Sequence, residues 1–469
     1  MKNIKFMYSK IMLLTGLLFV ITMSCERDIS DQVEFAHLSK TGEIFTDSPI
    51  GLGTDFYFPY TGSKPTAWSV DENEGYESAA SMRFDVPNAN DPAGNYAGAI
   101  FRVDGSGRDL TEFDALTFWA KATQGVVIGE VGFGQDFGLN KYQVSENNIS
   151  LSTNWQKYVI PIPDASKLFD ERGMFWYSAG TQNTGGNAYT FWIDELKFEK
   201  LGTIGQPRPA ILNGNDVVQD AFAGIVLELT GLTQTFNLGS GLNKTVNVAP
   251  SYFDFTSSEP SSAFIDEFGN ITVNSGSAVI TASLAGVEAE GSMTINAVGA
   301  FDLAPIPTRD PSDVISIFSD SYTNVPVDFF NGYWEPYQTT LSSDFVVDGN
   351  NMINYTNFNF VGNQFANPTV DATEYPNLHI NIYIPEEPAN LDFLITVRDF
   401  GPDQVDGGGD DTFQQIFFDG DDFEPGVWST LEAQITLPTR NNMGLIIYEN
   451  INGSSLNELY LDNIYFYKN

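Results

Sequence analysis

Apolar residues in this chain recur at every second position, in short runs, and nowhere do they keep a helical period. Ser81-Met82-Arg83-Phe84-Asp85-Val86, the stretch from Ala115 to Ala120, and Lys157-Tyr158-Val159-Ile160-Pro161-Ile162 alternate in this way. Turn formers separate them: Pro87-Asn88-Ala89-Asn90, Asp104-Gly105-Ser106-Gly107 and Gly185-Gly186-Asn187. A period of two places one apolar face on a sheet, and polar turns of this kind join neighbouring strands into antiparallel pairs. The pattern excludes helical bundles and predicts an all-β chain of stacked antiparallel sheets.

Charge narrows the partners. The chain has 61 acidic and 22 basic residues, a formal net charge of −39. Nucleic acid and anionic membrane surfaces would be repelled, so neither is an expected partner. A 42% hydrophobic content is too high for a disordered acidic tail. One cysteine rules out a disulfide framework, and two histidines leave little for zinc or for histidine-dependent catalysis.

Residues 1–25 read as an export signal. Lys2, Lys5 and Lys10 form a positive start, Ile11 to Met23 an apolar run too short for a comfortable bilayer span, and the single cysteine, Cys25, closes it. This segment resembles the lipoprotein signals of Bacteroidetes, although Thr22 stands where the usual box has leucine. The resemblance implies cleavage before Cys25, its lipidation and an outer-membrane anchor; Glu26, Asp28 and Asp31 resemble the tag that sends such lipoproteins to the cell surface. Residues 26–50 then read as a tether.

Three β domains are expected beyond it. Residues 51–202 and 312–469 read as β-sandwiches and distant copies of each other. Leu116 to Trp119 aligns with Leu378 to Asn381, Asn154-Trp155 with Val427-Trp428, and Phe191-Trp192-Ile193-Asp194 with Leu459-Tyr460-Leu461-Asp462. Between them, residues 207–298 lack tryptophan and are rich in Thr, Ser, Val and Gly. Phe255 to Pro260, Ile265-Asp266, Gly269-Asn270-Ile271-Thr272 and Gly276 to Ala282 resemble bacterial immunoglobulin-like domains of the second group, which implies a spacer. A proline-rich stretch, Ala304 to Pro311, reads as a stiff linker.

The closing strands look like those of jelly-roll carbohydrate-binding modules. In the last third, Ile317 to Asn324, Tyr333-Trp334, Asp399 to Asp403, Gly407 to Thr412 and Leu461 to Tyr465 resemble a module appended to family 16 glycoside hydrolases and found on surface glycan-binding lipoproteins of marine Bacteroidetes. The resemblance implies binding of a laminarin-like β-1,3-glucan beside a TonB-dependent importer, and a structural Ca2+ held by Asp320 with Asp462, and in the first copy by Asp194. The loop Asp403 to Asp411 is a further candidate cation site, with a solvated acidic turn as the plain alternative.

No catalytic motif is present. The Glu-aliphatic-Asp-x-x-Glu strand of the hydrolases is missing, and no acidic cluster has that spacing. The chain is therefore expected not to be an enzyme. Of the two histidines, only His379 lies in a domain, beside a strand core, and it reads as structural.

Sugar rings present polarised C–H faces that flat aromatic rings match. Aromatics in turn-rich segments are the glycan-binding candidates: Trp334, Tyr333 and Tyr337 in the C-terminal copy, and Trp68, Trp176 and Tyr177 in the N-terminal one. Trp155 and Trp428, at equivalent strand entrances, read as structural, while Trp119 or its neighbour Phe118 must face away from the core and Trp192 is open to either reading. Arg102 and Arg398 are candidate hydroxyl readers. Two other functions stay open: a hydrolase or lyase with an unfamiliar site, and an adhesin whose sandwiches bind protein.

Overall fold

The computed structural model describes residues 38–332, 334–386 and 388–468. Residues 1–37, with Cys25 and its neighbours, and Tyr333 lie outside the described residues. The fold is all-β, with only three-residue 3-10 turns besides the strands. No helix among the described residues is long and apolar enough to cross a membrane.

The N-terminal unit is a two-sheet sandwich. One sheet runs Trp68–Asp71, Ser81–Val86, Tyr189–Glu199, Ala115–Ala122, Gln156–Pro161, with Glu43–Phe45 also paired to Tyr189–Glu199. The facing sheet runs Tyr57–Pro59, Ala97–Arg102, Gly173–Ala179, Val126–Phe133, Val144–Leu151. Phe84, Phe101, Phe118, Phe175, Tyr177 and Phe191, none more than 1% exposed, interdigitate between them. These are the inward members of the alternating runs, as the period of two requires.

The unit begins earlier than residue 51. Ile44 and Phe45 are buried in the sandwich core, so the stretch read as tether supplies a strand. Arg108 holds it there. Its guanidinium, on a residue 1% exposed, donates to the carbonyls of Thr41 (3.1 Å), Glu43 (2.6 Å) and Ile50 (2.6 Å). The three-residue strand is too short and too polar at its flanks to signal itself by periodicity.

Glu171, 8% exposed, accepts the Gly173 amide at 2.7 Å, and burial raises its carboxyl to about 7, with Asp136 and Asp170 adding to the shift. The folded state therefore favours the proton more than the unfolded chain does, and stability falls as pH rises from about 4.5 through 7. Glu171→Gln keeps the acceptor and removes the charge. It is expected to match the wild type near pH 4.5 and to exceed it at pH 8 by about 1–3 kcal/mol in urea unfolding. Equal stability of the two proteins at pH 8 would contradict this.

The middle unit has one sheet of Asp216–Ala223, Ser292–Ala300, Ser277–Leu284 and Phe253–Ser257, with Val287–Glu288 also paired to Ser277–Leu284, and another of Val226–Glu228, Asn270–Val273 and Ala263–Ile265. Its remaining strands Asn243–Val248, Thr233–Asn237 and Gly205–Ala210 extend the second N-terminal sheet to eight strands, through Val248 opposite Val144 and Asn247 opposite Ser145. Backbone pairing of this kind makes the seam a continuous sheet and not a loose joint.

The C-terminal unit repeats the first. Its six-stranded sheet runs Leu341–Val347, Asn350–Thr356, Glu458–Tyr467, Asn377–Tyr383, Trp428–Gln434, with Val314–Phe318 on Glu458–Tyr467. Its four-stranded sheet runs Phe360–Gln364, Met443–Asn450, Asp392–Asp399, Thr412–Asp419. Ile380, Ile395, Tyr448, Leu461 and Phe466 fill the space between.

Candidate glycan-binding face

In the first N-terminal sheet, the residues opposite the core set project outward. Trp192 pairs across strands with Lys121 on one side and Arg83 on the other, and Trp119 pairs with Asp194 and Lys157. Trp119 and Trp192 are half-buried, as is Trp155 at the entrance of the neighbouring strand. The ring of Tyr76 lies flat on Trp119, 3.7 Å between centroids and 11° between planes, and meets Trp155 at 6.1 Å. The Lys121 ammonium sits 5.3 Å from the Trp155 ring and 5.2 Å from the Trp192 ring, and is itself paired with Glu74 at 2.7 Å. Three indoles and a phenol thus share one sheet face.

Polar groups fix these rings. The Trp192 indole N–H donates to Asp71 at 3.0 Å, a contact that holds the Asp71 carboxyl below its ordinary value. Arg83 approaches the same ring at 5.9 Å and pairs with Asp85 at 3.0 Å. The loop carrying Tyr76 is pinned by Asp194, which is fully buried: its carboxylate accepts from the Tyr76 amide, the Ser78 hydroxyl and the Glu195 amide, each at 2.7 Å. Burial raises the Asp194 carboxyl in spite of these donors. Asp194 thereby sets the stacked ring on the platform. At the far edge, Lys157 and Thr117 both reach Glu199, at 2.6 and 2.7 Å. Flat apolar plates bordered by paired charges suit a ligand with apolar ring faces and a rim of hydroxyls.

Only part of this was anticipated. Trp176 (3% exposed) and Tyr177 (0%) are both buried on the strand Gly173–Ala179, not in a loop: Tyr177 faces the core between the sheets, and Trp176 lies on the opposite face with its indole N–H donating to the Phe133 carbonyl at 3.3 Å. Trp68 is half-buried in a cluster with Phe56, Tyr57 and Phe101, at 5.1–5.7 Å between centroids. Trp155 belongs to the platform and not to the core, while Trp119 is the member of its pair that faces out, with Phe118 inward. Tyr76 was missed, because nothing in Asp71 to Ser78 signals that a buried aspartate folds the loop over a strand. Arg102 lies over Phe58 (4.8 Å) and Phe137 (5.1 Å), away from this sheet.

The matching face of the C-terminal unit is covered. Phe301 inserts among Tyr383 (4.9 Å), Tyr460 (5.2 Å), Phe345 (5.0 Å) and Trp428 (6.2 Å). The Trp428 indole donates to the Asp302 carbonyl at 2.6 Å, Asn463 donates to Pro305, and the Arg309 guanidinium lies 3.5 Å over Tyr467. Trp428 is structural, as read from the sequence. His379, 8% exposed, stacks on Tyr465 at 4.4 Å and pairs with Glu432, which is also a structural role.

Trp334 lies on the other C-terminal sheet, its indole against Gly362 and stacked with Phe360 at 5.9 Å and 22°. Tyr337 is 76% exposed. Arg398 pairs with Asp406 at 2.8 Å and with Asp411 at 3.2 Å.

Of the expected cation ligands, Asp462 is 2% exposed and accepts the Asn463 amide at 2.6 Å; burial, with the charge of Asp320 nearby, raises its carboxyl to about 7. Asp320 accepts the backbone and side-chain N–H groups of Asn351 at 2.6 and 2.9 Å. A buried carboxyl held beside a second one is chemistry a hard cation would complete. Asp403, Asp410 and Asp411 bring carboxylate oxygens within 4.8 Å of one another.

Residues 42–200 match the family model "Carbohydrate binding domain 30". No curated protein matches the chain. Among solved structures, the chain is similar to the family 30 carbohydrate-binding module of the cellulosomal cellulase Cel9D-Cel44B of Clostridium thermocellum, at 18% identity over 34% of this chain and 96% of that one, TM-score 0.24. It is also similar to the CBM22-1–CBM22-2 tandem of Xyn10C from Paenibacillus barcinonensis, at 10% identity over 92% and 99%, TM-score 0.24. A third is the family 11 module from Clostridium thermocellum in complex with a β-1,3-1,4-mixed-linked tetrasaccharide, at 16% identity over 28% and 85%, TM-score 0.20. The family match supports a carbohydrate-binding module in the N-terminal unit, and the Trp119–Trp155–Trp192 face lies inside the matched residues.

Proposed function

We propose that this chain is a non-catalytic lipoprotein of the outer-membrane surface that captures a neutral polysaccharide and presents it to a neighbouring TonB-dependent importer. The observation that carries the reading is the aromatic face of Trp119, Trp155, Trp192 and Tyr76 within the carbohydrate-binding match. A laminarin-type β-1,3-glucan is the proposed ligand. The resemblance of the last third to modules beside family 16 hydrolases supports it, and so does a net charge of −39, which disfavours anionic glycans. Retardation of the protein in native gels containing laminarin, and not in gels containing pectin or alginate, is the expected result. Equal mobility in every neutral glucan gel would overturn it. Release of reducing ends from laminarin would instead favour the hydrolase reading.

A structural Ca2+ at Asp320 and Asp462 is part of this proposal, resting on the buried Asp462 carboxyl and the nearby Asp320 charge. Calcium added to chelator-treated protein is expected to raise its unfolding temperature by several degrees, and Asp462→Asn to lose that response. A response that survives Asp462→Asn places the ion elsewhere.

A further inference from the structure

The two sandwiches repeat each other, yet the C-terminal face equivalent to the aromatic platform is filled by Phe301 and crossed by the segment from Asp302 to Arg309. That segment buries Tyr460 and occupies the ring faces that Tyr383 and Trp428 turn toward Phe301. On the opposite sheet of the same unit, the edge strand Thr412–Asp419 exposes its outward residues. The sheet's outward residues follow from the register. Phe417 lies opposite Leu394, Leu394 opposite Glu449, and Glu449 opposite Phe360, so one row crosses all four strands with an aromatic ring at each end. The next row, Gln415, Thr396, Ile447 and Gly362, ends beneath Trp334, because the absence of a side chain at 362 lets the indole lie against the sheet.

Phe413 and Phe417 are 59% and 64% exposed on the edge strand, four residues apart and so on one face. Leu394 is 5% exposed although it points away from the core, and it floors a shallow apolar track between the aromatic ends. Hydrogen-bonding groups interrupt that track: Thr396 donates to Glu449, and Gln415 sits between the two exposed phenylalanines.

We propose that this outer sheet face is a second glycan-binding surface, on which a polysaccharide lies across the strands from Trp334 and Phe360 to Phe413 and Phe417. Neighbouring strands lie about 4.8 Å apart, comparable to the length of one pyranose along a chain, so successive sugars meet successive strands. Alternating apolar and hydrogen-bonding groups match a sugar's ring faces and hydroxyls. A second copy of this chain is a poor occupant, since each copy carries a net charge of −39. The two modules would then hold one polymer on different sheets, and simultaneous engagement would add avidity.

This rests on the polysaccharide-binding reading, and calorimetry with laminarin separates the two. Phe413→Ala/Phe417→Ala in the full chain changes only exposed rings; its affinity is expected to fall roughly tenfold through lost avidity. In a Trp192→Ala background the same pair is expected to abolish the remaining heat. Thermal melting of each variant checks that the fold is kept. If the double variant binds laminarin with wild-type affinity, this inference is wrong and the polysaccharide-binding reading stands. If the wild type itself gives no heat with laminarin or other neutral β-glucans, the reading fails and takes the inference with it.

Discussion

Trp119→Ala and Trp192→Ala, made singly, are each expected to weaken laminarin binding by roughly 30- to 1,000-fold, a loss of about 2–4 kcal/mol. The two rings are on adjacent strands, and the Lys121 ammonium lies over Trp192 and the neighbouring Trp155. Removing Trp119 also strips Tyr76 of its stacking partner at 3.7 Å, so one substitution opens two plates of the surface. Trp192→Ala frees Asp71 from its indole donor and leaves that carboxylate to the Asn73 amide (3.1 Å) and Arg83 (3.5 Å). Both side chains point away from the sandwich core, so the unfolding midpoint is expected to move little. A variant that binds normally with Trp192 absent would contradict the assignment of this face. Trp176→Ala serves as the contrast: its ring is 3% exposed, and it is expected to cost stability and not affinity.

Arg108→Ala is expected to destabilise the N-terminal unit by about 3–5 kcal/mol. The guanidinium supplies charged donors to three carbonyls of the entering segment, and burial already lowers its proton affinity to about 10, which leaves it charged at neutral pH. Alanine would leave those acceptors without a partner and a void the size of the side chain. Without the clasp, Ile44 and Phe45 lose their seat in the core and the strand Glu43–Phe45 is free to detach from Tyr189–Glu199. Lysine keeps a charge but not the fork that reaches carbonyls in two directions, so Arg108→Lys is expected to recover only part of the loss. Proteolysis near residue 50 would report the detachment directly, since a strand held in a sheet resists cleavage and a loose one does not. Wild-type stability in Arg108→Ala would show that the segment is held by its apolar residues alone.

The fold class was legible because a period of two is written into strands such as Ser81–Val86 and Tyr189–Glu199, and the alignment of Phe191-Trp192-Ile193-Asp194 with Leu459-Tyr460-Leu461-Asp462 was legible because both close a sandwich. The binding face was not. Alternation says that Trp119 and Phe118 point opposite ways, but the core side is decided by the partner sheet, and a one-residue change of register would exchange them. Turn-rich context was a poor guide to exposure: it led to Trp68, which packs half-buried against the aromatic core, and to Trp176, which is buried on a strand, and past Trp155 and Tyr76, which a buried aspartate and a strand entrance bring together. Repetition was also misleading about equivalence. Trp428 occupies the position of Trp155, yet the Asp302 carbonyl and Phe301 claim its ring, an interaction carried by a segment outside both copies.

The most direct test is a crystal structure of the protein with a laminarin-derived oligosaccharide. Pyranose rings stacked on the outward face of Trp119, Trp155 and Trp192 are the predicted result. Full occupancy of the sugar elsewhere on the N-terminal unit, with this face bare, would contradict the account.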